Sequence, residues 1–401
     1  MANTVCLSRS VRTLTSEDLE YIHENGRTYG NSTYYLPCVY MPNNDFREQD
    51  LLSLQHQVFV HALQGRLTTT RLLPSTRRIL DLGTGPGHWA VAMAQKYPRS
   101  EVVGIDMTEW DLNTTEATLG ESRVSWELDD LDVWGREPDL ETLTARLEQF
   151  DFFTETNNRN PIDSPTHSTS QAGLETLQSQ AGTSMESLLG DPYALVGQPE
   201  PGWHFSDAFE LIHMRNMKGV FGHWEEVYAE IFKSLSPGGW VEIADYDLGQ
   251  IPLPPESSGS SEMPMPTVRK LYAAGMEASF KSGRPMGTFY MHPSYLEEAG
   301  FTDIQTTTVN VPVGKWPQDE TQKSIGKLML VVLMETFEAG LLRPLTKYGD
   351  KEKIWTVEEI MADIAVARQE VADWGARAER GEVEGWCASF KWITGRKSWQ
   401  S

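Results

Sequence analysis

A glycine-rich loop between a predicted strand and a predicted helix is the feature that most constrains the fold. Residues 78–82 read as a short buried strand, residues 88–96 have helical periodicity, and glycine occupies every second position between them, at Gly83, Gly85 and Gly87. Glycines at such a turn let the backbone approach a ligand closely. We therefore expect a ligand-binding strand–loop–helix unit at this point of the chain.

Two kinds of ligand suit such a loop, a dinucleotide and S-adenosylmethionine (SAM). The loop spacing is G-x-G-x-G followed by His88, so the third glycine of the dinucleotide fingerprint is missing, and Asp81 lies just before the loop. A carboxylate there repels a pyrophosphate, whereas SAM has no phosphate and carries an ammonium and a sulfonium. The loop thus predicts SAM as the cofactor, contacted by Asp81, Gly83, Thr84, Gly85 and Gly87.

Acidic residues also follow the next two predicted strands, 101–105 and 123–127. Asp106 ends the first of them, and Asp129 and Asp130 follow the second. Ligands of open α/β sheets bind at the carboxyl ends of the strands. We therefore expect Asp106 to accept hydrogen bonds from the ribose hydroxyls and the later pair to accept one from the adenine amino group. Met107 and Leu131 would give apolar cover.

Strands and helices alternate over much of the remaining chain, which predicts parallel βαβ units. Helices are expected at 17–27, 48–63, 224–235, 267–282, 294–299, 320–342 and 357–380, and further strands at 208–214, 240–244, 301–311 and 390–393. Residues at capping-box spacing, Ser294 with Glu297 and Thr356 with Glu359, would open two of the helices.

Residues 136–202 break the pattern, because polar residues and proline dominate there and cannot bury enough apolar area to offset the entropy of ordering. We expect an insertion outside the core, with one candidate helix at 140–149. The predicted units are a preface at 1–74, the two halves of the cofactor domain at 75–135 and 203–250, the insertion at 136–202, and lid helices with the last strands at 251–401.

Net charge and cysteine content limit the classes of function. The formal charge of −23 opposes binding to nucleic acid or to anionic membranes. Three scattered cysteines support neither a disulfide framework nor a zinc site, and the longest apolar runs are too short for a bilayer. We expect a soluble, untargeted intracellular protein, cytoplasmic or nuclear, without a metal site.

Several motifs beyond the loop resemble one family, the LaeA-like fungal SAM-dependent methyltransferases, which comprise regulators and tailoring enzymes of secondary metabolism. The matching runs are 25–29, 43–56, Asp129-Asp130, 212–215, 237–240, 314–317 with Lys323 and Gly326, and 395–397. The resemblance implies an α/β, Rossmann-like class I methyltransferase fold. Its mostly parallel sheet would have seven strands, with a helical N-terminal preface and helices inserted near the C-terminus. Tyr29, which ends the first run, joins the expected cofactor-binding residues.

Methyl transfer to a hydroxyl needs a positioned acceptor and a proton acceptor. Candidate bases are His56, His213 and His292, although a histidine inside an apolar strand, as at His213, is more often a core residue, and His292 suits a turn at a helix start. Arg215 follows the fourth strand and can orient a carboxylate or another polar group of the acceptor.

Three functions remain open. The favoured one is methyl transfer to O, N or S of a small secondary metabolite. The others are a SAM-binding regulatory protein acting in a protein complex, and a cyclase that keeps its SAM intact. A homodimer or a regulatory protein partner would fit the late helices and the insertion.

Overall fold

The strand before the glycine loop and the strands near the C-terminus belong to one sheet. The computed structural model describes residues 21–30, 47–110, 124–134, 144, 202–203, 205–253 and 263–399. A seven-stranded sheet has the order β5-β4-β3-β6-β7-β9-β8, which confirms the predicted Rossmann-like class. Its strands are β3 (Arg78–Leu82), β4 (Glu101–Asp106), β5 (Val124–Leu128), β6 (Phe209–Arg215), β7 (Leu235–Asp247), β8 (Thr302–Pro312) and β9 (Cys387–Arg396).

Five of these strands, β3 to β7, run parallel, and only β9 and β8 are antiparallel to their neighbours. The register pairs Asp81 of β3 with Gly104 of β4 on one side and with His213 of β6 on the other. The carboxyl ends of these strands therefore lie at one edge of the sheet. This is the edge at which the sequence places its acidic residues.

Helices cover both faces of the sheet. They are α1 (Arg47–Ala62), α2 (His88–Lys96), α3 (Trp224–Ser234), α4 (Pro266–Lys281), α5 (Pro293–Glu298), α6 (Glu320–Lys347) and α7 (Val357–Glu379). One core joins α1, α4, α6 and α7 to alternate residues of β7 such as Ala244 and Tyr246. A second core joins α3 and α5 to β7 residues of the opposite face, such as Val241 and Ile243, because successive strand side chains face opposite sides. A third core joins α2 to residues of β3, β4 and β6.

The N-terminal segment corrects one prediction. A helix was expected at 17–27, but β1 (Ile22–Glu24) and β2 (Arg27–Tyr29) form an antiparallel hairpin instead. Asn25 and Gly26 both have positive φ angles, 53° and 72°. An Asn-Gly pair favours the tight turn that matches strand twist, so the charged helical pattern gave the wrong element.

The N-termini of α5 and α7 can be compared with the two predicted capping boxes. Thr356 accepts from the backbone N–H of Glu359 while the glutamate side chain accepts from that of Thr356, which confirms this capping box. The other prediction is wrong, because α5 is capped by His292, whose ring accepts from the Ser294 backbone N–H. The local turn role expected for His292 is confirmed, and its ring is engaged at that turn.

Other predictions concern regions that the structure treats only in part. Residues 157–187 and the candidate helix at 140–149 lie outside the described residues, apart from residue 144. None of the helices in the described ranges combines the length and apolar composition needed to cross a membrane. The unit boundaries at 74, 135, 202 and 250 stay predictions.

Candidate active site

One cavity of about 380 Å³ lies over the carboxyl ends of the parallel strands, a volume within the usual range of small-molecule sites. One part is bordered by the glycine loop and the acids that follow β4 and β5. The other part is bordered by residues after β6 and β7 and by α1, α4 and α6, and its apolar wall includes Leu51, Met276, Leu333 and Phe337. The site thus has a polar strand-edge part and an apolar helical part.

The glycine loop adopts the close approach that its spacing predicts. Gly83 has φ 63°, and a Cβ atom there would lie 2.8 Å from the Met217 sulfur. Gly87 does not border the cavity, and a Cβ atom there would lie 2.4 Å from the Trp126 ring. Gly83 and Gly85 therefore expose backbone to a ligand, while Gly87 lets the loop pack on β5.

Asp81 borders the cavity, but both of its carboxylate oxygens also hold the protein together. One oxygen accepts from the Thr84 hydroxyl at 2.7 Å and the other contacts His213 Nδ1 at 2.8 Å. The His213 ring is stacked on Trp89 with centroids 3.7 Å apart. His213 is 1% exposed and does not border the cavity. The structure thus places it as a core histidine that anchors Asp81.

Asp106 has the geometry of a ligand acceptor at the end of β4. One oxygen accepts from the Gly85 N–H at 2.8 Å and the other from the Thr108 N–H at 2.9 Å. Burial raises the pKa of this carboxyl, and the backbone hydrogen bonds partly offset that rise. Each carboxylate oxygen has two lone pairs, so ribose hydroxyls can still donate to both. Met107 borders the cavity beside it.

The segment after β5 supplies the other predicted cofactor residues. Asp129, Asp130 and Leu131 all border the cavity. The Asp132 backbone N–H donates to Asp130 Oδ1 at 3.0 Å, and the Leu131 carbonyl accepts from Trp203 Nε1 at 2.8 Å. The position and hydrogen-bonding capacity of these residues fit the adenosine part of SAM.

Tyr29 is placed differently from the other expected cofactor residues. Its side chain is fully buried beneath the Arg343 guanidinium, 4.4 Å from the ring centroid, and Gly30 is the neighbour that borders the cavity. The hairpin is fixed from outside by ion pairs of Arg27 with Glu48 and Glu338. The Tyr29 ring therefore supports the hairpin, which brings backbone to the cavity.

Arg215 brings a positive charge to the cavity wall. None of the ion pairs among the described residues includes it. Its Nη2 lies 3.2 Å from His56 Nδ1, and its guanidinium carbon lies 5.0 Å from the Phe59 ring centroid. Desolvation lowers the Arg215 pKa from its usual value to about 10, while the charges of Asp81 and Asp245 act in the opposite direction. A half-buried guanidinium at a cavity wall can bind an anionic group of a ligand.

The histidines beside Arg215 are neutral. Burial and the nearby guanidinium lower the pKa of His56 well below its usual value and that of His88 to about 4. A neutral ring can accept the guanidinium N–H, as His56 Nδ1 does. His88 borders the cavity and His56 does not. His56 therefore lies where it can hold Arg215.

Three polar residues of the second part escaped sequence reasoning. Asn216 Nδ2 donates to Gln55 Oε1 at 2.9 Å, and Gln55 Nε2 donates to the Tyr246 hydroxyl at 3.2 Å. Asn216 has φ 59°, and its own Oδ1 is buried without a hydrogen-bond partner among the described residues. Asn216 follows Arg215 directly at the end of β6. That position was the signal that could have found it.

Asp247 was also missed, although it ends β7 at the same sheet edge. Its Oδ1 accepts from the Gly249 N–H at 2.6 Å and its Oδ2 lies 3.4 Å from the Thr288 hydroxyl. Burial raises its pKa, while the Gly249 N–H and Lys218 act in the opposite direction. Lys218 is itself held by Asp245 at 2.8 Å. The strand-end rule that predicted Asp106 applies equally to this carboxylate.

The fold and this strand-edge site define a class I methyltransferase. A sequence model of the family described as "Methyltransferase domain" matches residues 54–305, more than half of the chain. The chain belongs to this family. It is a SAM-dependent methyltransferase, and SAM is its cofactor.

Curated relatives narrow the family further. The chain is 28% identical over 338 residues to "Secondary metabolism regulator LAE1" of Cochliobolus heterostrophus, covering 81% of each. It is 25% identical over 356 residues to "Methyltransferase pytC" of Aspergillus terreus, covering 88% of this chain and 82% of that one. It is also 25% identical over 357 residues to "Protein-methionine methyltransferase laeA" of Emericella nidulans, covering 87% and 72%. These relatives confirm the LaeA-like resemblance.

Proposed function

We propose that this methyltransferase acts on a small secondary metabolite at O, N or S, bound in the apolar part of the cavity next to Arg215. The observation that carries the proposal is the single cavity that joins the glycine loop to a chamber lined by α1, α4 and α6. Such a chamber encloses a small acceptor and excludes water, which strengthens every polar contact inside it.

The proposed cofactor residues are the ones at the strand edge. Asp106 accepts from the ribose hydroxyls, and Asp130 with Asp129 accepts from the adenine amino group. Met107 and Leu131 cover the base. The backbone of the loop from Gly83 to Gly85, held by Thr84 and Asp81, contacts the amino-acid part of the cofactor. Bound SAM supplies a methyl group on a sulfonium.

On the acceptor side, this chain has to orient the acceptor and take up a proton. The Arg215 guanidinium binds an anionic or strongly polar group and fixes the direction of approach, and neutral His56 holds the guanidinium in place. Asp247, rather than a histidine, is the proposed proton acceptor for a hydroxyl or protonated amine, because its carboxylate borders this part of the cavity. A base of this kind contributes 10²- to 10⁴-fold to rate.

A protein acceptor is the second candidate, and the relatives favour it. Two of them are named as regulators or as a protein-methionine methyltransferase. In that case a side chain of the partner would enter the chamber beside Arg215, and the protein would act in a regulatory complex in the nucleus or cytoplasm. A homodimer would fit the same role.

Incubation with SAM labelled on the methyl group tests these functions against each other. Label in the small-molecule fraction of a metabolite extract supports the first proposal, whereas label only in protein supports the second. Product formation with no label transfer and no loss of SAM would instead indicate a cyclase. Asp106→Ala serves as the cofactor-site control, and no transfer to either fraction would contradict both methyl-transfer proposals.

A further inference from the structure

Arg284 ties together three segments that are distant in the sequence. It lies after α4, in the segment whose Met286 and Gly287 border the cavity. Its Nη2 forms an ion pair with Asp132 after β5, and its Nη1 donates to the Val220 carbonyl after β6. The two ion-pair side chains are 9% and 5% exposed. Solvent therefore screens this pair weakly.

The ion pair is one hydrogen bond away from the proposed adenine contact. The Asp132 backbone N–H donates to Asp130 Oδ1 at 3.0 Å, so the position of Asp132 sets the orientation of the Asp130 carboxylate. The Leu131 carbonyl is held from the other side by Trp203 Nε1. The backbone of segment 129–132 is thus held by hydrogen bonds at Leu131 and at Asp132.

The negative charge of segment 129–132 gives the ion pair with Arg284 a structural role. Asp129, Asp130 and Asp132 put three carboxylates within four residues, and like charges at short range repel. Arg284 forms an ion pair with one of these carboxylates, that of Asp132. Loss of the guanidinium would leave the repulsion within the group less compensated, and the direction of Asp130 would be held less firmly.

We propose that Arg284 is a positioning residue that sets the base selectivity of the cofactor site by holding Asp130 toward the 6-amino group of adenine. The proposal rests on the cofactor placement of the proposed function. An adenine amino group donates to the carboxylate, whereas the 6-oxo group of hypoxanthine meets it as a second acceptor. A fixed carboxylate therefore discriminates between the two bases, and a mobile one adapts to either.

Calorimetry with two probes tests the proposal without any methyl acceptor. The probes are S-adenosylhomocysteine and its hypoxanthine counterpart, S-inosylhomocysteine. We expect the wild-type protein to bind the adenine compound at least about tenfold more tightly, since a hydrogen bond to a charged group is lost in the other. In Arg284→Gln this ratio should fall to within about threefold. Arg284→Lys keeps the charge but cannot make both contacts at once, so its ratio should be intermediate.

Two further variants make the result specific. Arg269 also ties loops to α4, through the backbone carbonyls of Pro264 and Ile251, and Arg269→Gln should leave the ratio unchanged. Asp130→Asn should remove the discrimination by itself. If Asp130→Asn does so while folded Arg284→Gln and Arg284→Lys keep the wild-type ratio, the role of Arg284 is wrong. If wild-type protein does not distinguish the probes, or Asp130→Asn keeps the ratio, the adenine assignment fails and the proposal with it.

Discussion

Replacing Arg215 by glutamine is expected to stabilise the ligand-free protein and to abolish methyl transfer. The guanidinium borders the cavity beside a neutral histidine. It forms no ion pair among the described residues, and the charges of Asp81 and Asp245 offset its desolvation only in part. A charge in this position lowers the free energy of unfolding. Such destabilising charges are typical of groups that act on a ligand. Arginine at 215 thus predicts a stability–function trade-off.

The lowered pKa gives the size of the effect. The fall of the pKa from the usual arginine value to about 10 corresponds to about 3 kcal/mol at 1.36 kcal/mol per pKa unit. Because the folded-state pKa lies below the unfolded one, this destabilisation is fully present below pH 10 and disappears as the pH rises past the unfolded-state pKa. The glutamine loses the His56 hydrogen bond, about 1 kcal/mol, and the Phe59 contact, about 0.5–1 kcal/mol. The expected net gain is about 1 kcal/mol, or roughly 2 °C in melting temperature.

Thermal melts, SAM calorimetry and turnover are measured on the same preparation. We expect a higher melting temperature, SAM affinity within twofold of wild type, and turnover lower by about a hundredfold through misplacement of the acceptor. Arg284→Gln is the matched control, because it breaks a buried ion pair and should destabilise by about 3 kcal/mol. A lower melting temperature for Arg215→Gln would refute the unpaired-charge argument. A parallel loss of SAM affinity would show that the guanidinium binds the cofactor instead.

Four other changes test the site and the insertion. Asp106→Ala should weaken SAM binding by about 1–3 kcal/mol in calorimetry, and EDTA should leave binding unchanged; equal affinity in the variant would exclude the ribose role. Gly83→Ala should weaken SAM binding, because alanine is strained at φ 63° and its methyl group would displace the Met217 side chain; an unchanged affinity in calorimetry would exclude the close backbone approach. Asp247→Asn should remove the acid limb of the turnover–pH profile, which in wild type rises through a pKa raised by burial; an unchanged limb would exclude it as the base. From composition alone, deleting 157–187 should leave the melting temperature and SAM affinity unchanged, and a large fall would show that the segment packs on the domain.

The strand edge was predictable because its chemistry is local in sequence. A strand, a run of glycines and a terminal acid occur within a few residues of each other, so Asp81, Gly83 and Asp106 could be placed before any tertiary contact was known. The same rule finds Asp247, which ends β7 and was overlooked because the predicted strand stopped at Ala244. Asp247 was missed because the end of the strand was predicted too early. The rule that identifies strand-end acids needed no additional information.

The N-terminal hairpin shows where local signals fail. Its Asn25-Gly26 turn was visible in the sequence, but the charges around it also fitted a helix. The contacts that fix the hairpin come from far along the chain, with Arg27 on Glu338 and Arg343 over Tyr29. Sequence pattern carries no information on pairs some 300 residues apart, so the role of Tyr29 as a support rather than a cavity residue required the structure.

Apolar periodicity identifies the helices that enclose the acceptor but not the residues that touch it. Leu333 and Phe337 on α6 border the cavity and Val332 does not, yet all three are buried apolar residues of the same core. A helix can therefore exchange one apolar residue for another at the cavity without altering the pattern that folds it. We expect the strand-end acids to be less exchangeable, because the proposed cofactor contacts use their carboxylates. Relatives 25–28% identical to this chain can thus keep one cofactor site while the helical wall adapts to different acceptors.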